Sequence, residues 1–198
     1  FARAKSERKW TSGKVEPIFG RTSLILGLGQ TGRAVAKLCK AVGMHVIGVR
    51  AHPSATENVD EVFGVDALPS LWPKADTISI CLPLTKSTRC IVNADAIALM
   101  KPHAILVDIS RGGVVDQAAL AAALSSGQLR GAAIDVFETE PLPDDSDLWG
   151  LQNTIITPHC SSVYDGWENT AVAMFSDNLA RYRRGESLMN VVDPDRGY

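Results

Sequence analysis

The run Gly27-Leu28-Gly29-Gln30-Thr31-Gly32 constrains what this chain can fold into more than any other stretch. It follows directly on the apolar residues 23–26 and opens directly into an amphipathic pattern over residues 31–42, so it reads as strand, tight turn, helix. Each glycine has its own physical reason. Gly27 permits the tight reversal, Gly29 lets the backbone approach a pyrophosphate, and Gly32 lets the helix pack closely on the strand. The helix N-terminus, with its unpaired N–H groups, then faces the phosphates, so Gln30 and Thr31 join the three glycines as expected contacts.

The rest of the chain repeats that alternation. Short apolar runs at residues 45–49, 77–82, 104–109, 131–136 and 154–157 are separated by helical patterns at 31–42, 68–72, 94–100 and 117–125. Gly43 and Gly127 sit where left-handed helix caps belong, and Pro102 stops the third helix. The expectation is an α/β fold, a doubly wound parallel sheet of Rossmann type, over residues 21–162. Trp167, Ala171, Met174, Phe175, Asn178, Leu179 and Tyr182 then mark one face of a long helix expected from 163 to 184, with a tail to 198.

With 198 residues and 45% hydrophobic content, the chain fills one core with an appended piece. A formal charge of -2 provides no basic field for nucleic acid or an anionic membrane, and no run approaches the roughly 20 apolar residues that span a bilayer. Cys39, Cys81, Cys90 and Cys160 show neither metal-ligand spacing nor a disulfide framework. A reducing cytoplasm, a small ligand and no metal are therefore expected.

About 20 residues beyond the glycine turn, an acidic side chain would hold the ribose hydroxyls of NAD. The sequence there is Gly48-Val49-Arg50-Ala51-His52. Arg50, with His52 close by, suits the additional phosphate of NADP, so NADP is the preferred cofactor, with NAD as the other possibility.

Ligands of doubly wound sheets bind beyond the carboxyl ends of the strands. Three ionisable residues fall there: Arg111 in DISRGGVVD, Glu140 in DVFETEPLP and His159 in ITPHCSS. Hydride addition to a 2-keto acid needs a proton donor for the new hydroxyl and a cation for the carboxylate. His159 suits the first task near neutral pH and Arg111 the second, while Glu140, hydrogen-bonded to the imidazole, would favour its charged form.

These stretches, GLGQTG, CLPLTKST, DISRGGVVD, AAIDVFETEPLP and TPH, together resemble the D-isomer-specific 2-hydroxyacid dehydrogenases, in that family's order and over nearly the whole chain. The resemblance implies reduction of a small 2-keto acid of the glyoxylate or hydroxypyruvate type, D-specific, by a homodimer. It implies that Arg111 binds the substrate carboxylate, His159 is the acid/base and Glu140 its partner. It places Asp135 at the nicotinamide amide and Leu82, Pro83, Thr85, Ile109 and Ser110 along the cofactor. Two departures stand out: the family's usual acidic residue is replaced by Arg50, and its N-terminal substrate lobe is absent from this sequence. Residues 1–20 are accordingly expected to be a hinge from such a lobe, and 163–198 a helix and tail returning to it. The family also resembles corepressors that use this fold to sense NAD(P) without turnover, which is the competing expectation. Formate dehydrogenases resemble it too, but with Gln where Glu140 stands.

Overall fold

The computed structural model describes residues 2–13 and 15–194; residues 1, 14 and 195–198, which belong to the expected hinge and tail, lie outside them. In chain order the elements are α1 (Ala2–Ser6), β1 (Thr22–Leu26), α2 (Gln30–Ala41), β2 (His45–Val49), β3 (Glu61–Phe63), α3 (Leu68–Leu71), β4 (Thr77–Ile80), α4 (Ala94–Ala98), β5 (Ile105–Asp108), α5 (Gln117–Ser125), β6 (Gly131–Ile134), β7 (Thr154–Ile156) and α6 (Trp167–Arg184). The strands form one sheet in the order β3-β2-β1-β4-β5-β6-β7, and every pairing is parallel. The expected doubly wound fold is present.

Parallel strands covered on both faces need continuous apolar sequence, and the central ones have it. Leu24, Ile25 and Leu26 of β1, Ile78 and Ile80 of β4 and Leu106 of β5 are fully buried. At roughly 1.5–3 kcal/mol for each large aliphatic side chain removed from water, these strands anchor the sheet. Leu24 and Leu26 face the larger cluster, with Trp72, Ile97, Leu120 and Leu124. Ile25 and Val46 face the smaller one, under Ala36 of α2. Register puts Ile105 and Ile155 on that second face, where both remain exposed.

Helix ends follow local chemistry. The side chains of Asn93 and Asp116 accept from the N–H groups of Ala96 and Ala119 and cap α4 and α5. Gly43 and Gly127 take positive φ after α2 and α5, as expected.

Several boundaries depart from the sequence expectation. Strand β3 was not anticipated; three residues are too few to show an alternating pattern. The strands β4 to β7 end one or two residues early, because the chain leaves the ladder there to form the loops that carry the site. Helix α4 stops at Ala98, with Leu99 as its C-cap. Helix α6 starts at Trp167 rather than 163, since Gly166 at φ +85° breaks any earlier turn. No residue of α6 is buried, and Trp167, Met174, Phe175, Leu179 and Tyr182 lie exposed along it. The tail folds back on this helix: Asn178 Nδ2 donates to the Met189 carbonyl at 3.0 Å and its Oδ1 accepts the Met189 N–H at 2.8 Å.

Candidate active site

The strand order reverses between β1 and β4, and beyond their carboxyl ends opens a cleft of about 820 Å³. Its walls come from five strand ends. Gly29 and Thr31 follow β1, Leu82 and Pro83 follow β4, Ile109, Ser110 and Arg111 follow β5, Glu140 follows β6 and His159 follows β7. The topology thus assembles residues scattered over 130 positions of sequence into one crevice.

The glycine turn is built as its sequence requires. Gly27 has φ +92° and donates its N–H to the Val49 carbonyl at 2.9 Å, and a Cβ there would sit 2.5 Å from the Cys81 carbonyl oxygen. A Cβ on Gly32 would lie 1.8 Å from the Gly27 carbonyl oxygen. Gly29 differs, since nothing lies within 4 Å of its would-be Cβ, which therefore points into open space. Helix α2 has no side-chain cap and no acidic residue in its first turn. Open space above Gly29, next to uncapped N–H groups at a helix N-terminus, is a cradle that fits a dinucleotide pyrophosphate.

Across the cleft, His159 Nδ1 lies 2.7 Å from Glu140 Oε2, and Glu140 Oε1 accepts the Phe137 N–H at 2.9 Å. The imidazole first, and the Phe137 N–H second, hold the Glu140 carboxyl below its ordinary range, so it is ionised at neutral pH. Arg111 is exposed on the same wall, with Nη1 donating to the Ser110 carbonyl at 2.7 Å.

Other expected residues lie off this wall. Arg50 follows β2 and donates from Nη1 to Ser54 Oγ at 3.1 Å, with His52 exposed beside it. Thr85 Oγ1 is engaged with Ser87 and Thr88 at 3.1 and 2.9 Å, building the turn after β4. Gln30 donates to Asn190 Oδ1 of the tail at 2.5 Å. Asp135 is buried, and its carboxylate accepts hydrogen bonds from Thr157, Cys160 and Ser161. Conversely, Cys81, Leu84, Gly112, Phe137 and Glu138 line the cleft without having been singled out. All lie inside quoted motifs. Gly112 had a readable signal, the Gly-Gly pair after Arg111: a Cβ there would fall 1.8 Å from the Phe137 carbonyl oxygen.

Beneath Arg111, the buried Asp108 accepts the Ser110 hydroxyl at 2.6 Å and the Ser110 N–H at 3.0 Å, both on Oδ1. Burial pushes its carboxyl up to about 6, against that pull from Ser110. A raised carboxyl pKa means that the native state loses stability as pH rises from about 4 through about 6, while below about 4 there is no penalty. Asp108→Asn keeps the Oδ1 acceptor and removes the charge. It is expected to stabilise the fold at pH 7.5 by up to about 3 kcal/mol, at about 1.4 kcal/mol per pH unit between about 4 and about 6, and to change little at pH 4. Thermal melts at the two pH values check this; a lower midpoint at pH 7.5 would refute it.

Residues 1–161 match the family model described as D-isomer specific 2-hydroxyacid dehydrogenase, NAD binding domain. The chain belongs to this family. Among its D-2-hydroxyacid dehydrogenase relatives, the D-3-phosphoglycerate dehydrogenase of Methanocaldococcus jannaschii is 40% identical over 179 residues, covering 89% of this chain and 34% of the relative. The glyoxylate reductase of Korarchaeum cryptofilum is 37% identical over 180 residues, covering 90% and 54%. Thus the chain spans a third to about half the length of these two relatives. A solved D-isomer specific 2-hydroxyacid dehydrogenase from Xanthobacter autotrophicus, in complex with NADPH and MES, superposes with a TM-score of 0.90 at 38% identity, over 100% of this chain and 81% of that one. The NADPH-dependent glyoxylate/hydroxypyruvate reductase of Sinorhizobium meliloti, in complex with NADP and sulfate, gives 0.91 at 29% identity, over 100% and 63%.

Proposed function

We propose that this dehydrogenase domain carries the cofactor and the acid/base machinery of an NADP-preferring reductase of small 2-keto acids, glyoxylate or hydroxypyruvate, giving the D-hydroxy acid. The observation that carries this reading is the 2.7 Å His159–Glu140 pair, set in the same cleft as Arg111 and the open turn at Gly29.

Gly27, Gly29, Gln30, Thr31 and Gly32 would hold the pyrophosphate, with Leu82, Pro83, Thr85, Ile109, Ser110 and Asp135 along the remainder of the dinucleotide. When bound, the nicotinamide supplies the hydride. Arg111 binds the substrate carboxylate and polarises the adjacent carbonyl. With Nδ1–H donated to Glu140, His159 presents Nε2 to that carbonyl and gives its proton to the oxygen as negative charge develops there. Glu140, ionised and doubly hydrogen-bonded, fixes the ring and offsets the positive charge that the imidazole carries before transfer.

The preference for NADP rests on Arg50 and His52 at the end of β2, where no carboxylate repels a phosphate, and two solved relatives are complexes with NADPH or NADP. Arg50→Asp is expected to weaken NADPH binding about 10- to 100-fold, the loss of a charged hydrogen-bonded pair, and to strengthen NADH binding. Titration of both cofactors by fluorescence checks this; unchanged affinities would remove the phosphate pocket. Direct assay of NADPH and NADH oxidation with glyoxylate and with hydroxypyruvate tests the reaction itself.

Residues 1–20 and 163–198 serve, on this reading, as the hinge to a substrate-binding lobe and the helix and tail that dock on it. The bare apolar side of α6 supports that role. The enzyme is read as a cytoplasmic homodimer, in keeping with four free thiols and no membrane-crossing helix among the described residues.

A further inference from the structure

Asp135 is the first residue after β6, and only 3% of it is exposed. Its Oδ1 accepts the Thr157 hydroxyl at 2.5 Å and the Cys160 N–H at 2.9 Å, and its Oδ2 accepts the Ser161 N–H at 2.9 Å. The base of this grip is fixed to the sheet, since the Asp135 N–H donates to the Asp108 carbonyl at 2.9 Å and the Thr157 N–H to the Ile134 carbonyl at 3.0 Å. The three bonds from Asp135 therefore bracket His159 on both sides. His159 itself sits at φ +50°, the left-handed region.

A residue other than glycine is strained in that conformation and keeps it only where its surroundings over-determine it. Hydrogen bonds to a charged carboxylate are about twice as strong as neutral ones, and three of them outweigh the strain of one left-handed residue. Burial alone would raise the Asp135 carboxyl, yet the bonds from Thr157, Ser161 and Cys160 hold it down at about 2, so the grip is charged at any pH near neutral.

We infer that Asp135 is a positioning residue, which by gripping Thr157, Cys160 and Ser161 holds His159 in the left-handed backbone conformation that delivers Nδ1 to Glu140. Released from the grip, His159 relaxes to an ordinary φ and its ring swings off the carboxylate. The role rests on the acid/base reading of His159, and a measurement that needs no turnover separates the two.

That measurement is the tautomer pattern of the histidine ring nitrogens in the whole chain, labelled with 15N-histidine and recorded through two-bond correlations. Of the four histidines, His159 is assigned by its disappearance in His159→Gln. In the parent chain, the Glu140 bond fixes a proton on Nδ1 of His159. Asp135→Asn cannot accept from Thr157, Cys160 and Ser161 together, because half of its amide is a donor. It is expected to lose the fixed Nδ1-protonated pattern of His159 while those of His45, His52 and His103 stay as in the parent, and to lower kcat about 100-fold, the effect of misplacing a catalytic group by about 1 Å. A parental His159 pattern in a folded Asp135→Asn overturns the inference, and weaker NADPH binding beside that pattern leaves Asp135 with its dinucleotide contact alone. Should Asp135→Asn not fold, Thr157→Val removes one bond of the three, and loss or retention of the pattern decides in the same way. Loss of the pattern with kcat unchanged would leave the grip standing and reject the acid/base reading.

Discussion

Gly32→Ala is expected to abolish detectable dinucleotide binding and to lower the thermal midpoint, whereas Gly29→Ala should abolish binding and leave the midpoint unchanged. The two glycines stand three residues apart in one turn, and geometry separates their roles. A Cβ on Gly32 would lie 1.8 Å from the Gly27 carbonyl oxygen and 2.9 Å from its carbon, so backbone must move, either the start of α2 or the turn after β1. Overpacking of that kind costs about 1–3 kcal/mol, and a displaced helix N-terminus no longer aims its N–H groups at a phosphate. Around Gly29 there is nothing to strike. Its added methyl would enter the space assigned to the pyrophosphate, and the loss falls on the ligand alone. Calorimetric titration with NADPH alongside thermal melts checks both. Parental affinity in Gly29→Ala would place the pyrophosphate elsewhere and remove the cradle.

That contrast bears on how far the sequence alone could be read. The order strand, glycine turn, helix was legible because three constraints coincide within ten residues, and the apolar runs that follow it fix a parallel sheet. Once the sheet is parallel, residues just past its strands must gather at one edge, so Arg111, Glu140 and His159 could be named together without any distance. Their pairing rests on more than topology. The 2.7 Å approach of His159 to Glu140 depends on the loop at 157–161 and its hydrogen bonds to Asp135, long-range contacts with no local signature. Strand β3 was illegible for a different reason, being three residues long and half-exposed, with its pairing to β2 as its cause. The first turn assigned to the last helix failed on a single residue, Gly166, whose positive φ starts α6 at Trp167. Motifs located the cleft, but which of Cys81, Leu84, Phe137 and Glu138 face into it depends on where each strand leaves the ladder.

Replacing His159 with Gln is expected to reduce turnover of a 2-keto acid by about 10²–10⁴-fold, the range for loss of a general acid, with NADPH affinity near that of the parent. Glutamine keeps a polar side chain of similar reach, so what disappears is the transferable proton. Glu140→Gln makes the informative comparison. Its amide oxygen accepts from Nδ1–H only with the NH2 turned to the Phe137 N–H, so the ring keeps its partner while that backbone bond and the charge that offsets the imidazolium are lost. The carboxylate is held below its ordinary range by that same imidazole and is ionised at neutral pH, so the substitution removes a full charge 2.7 Å from the ring. A smaller loss than in His159→Gln, confined to kcat, is the expected result, and steady-state kinetics with NADPH and glyoxylate measure it. If Glu140→Gln instead left kcat unchanged while His159→Gln abolished it, the carboxylate would be an orienting hydrogen-bond acceptor alone. A fall in NADPH affinity in His159→Gln, without loss of turnover at saturation, would return the histidine to a structural role and leave the cleft without its proton donor.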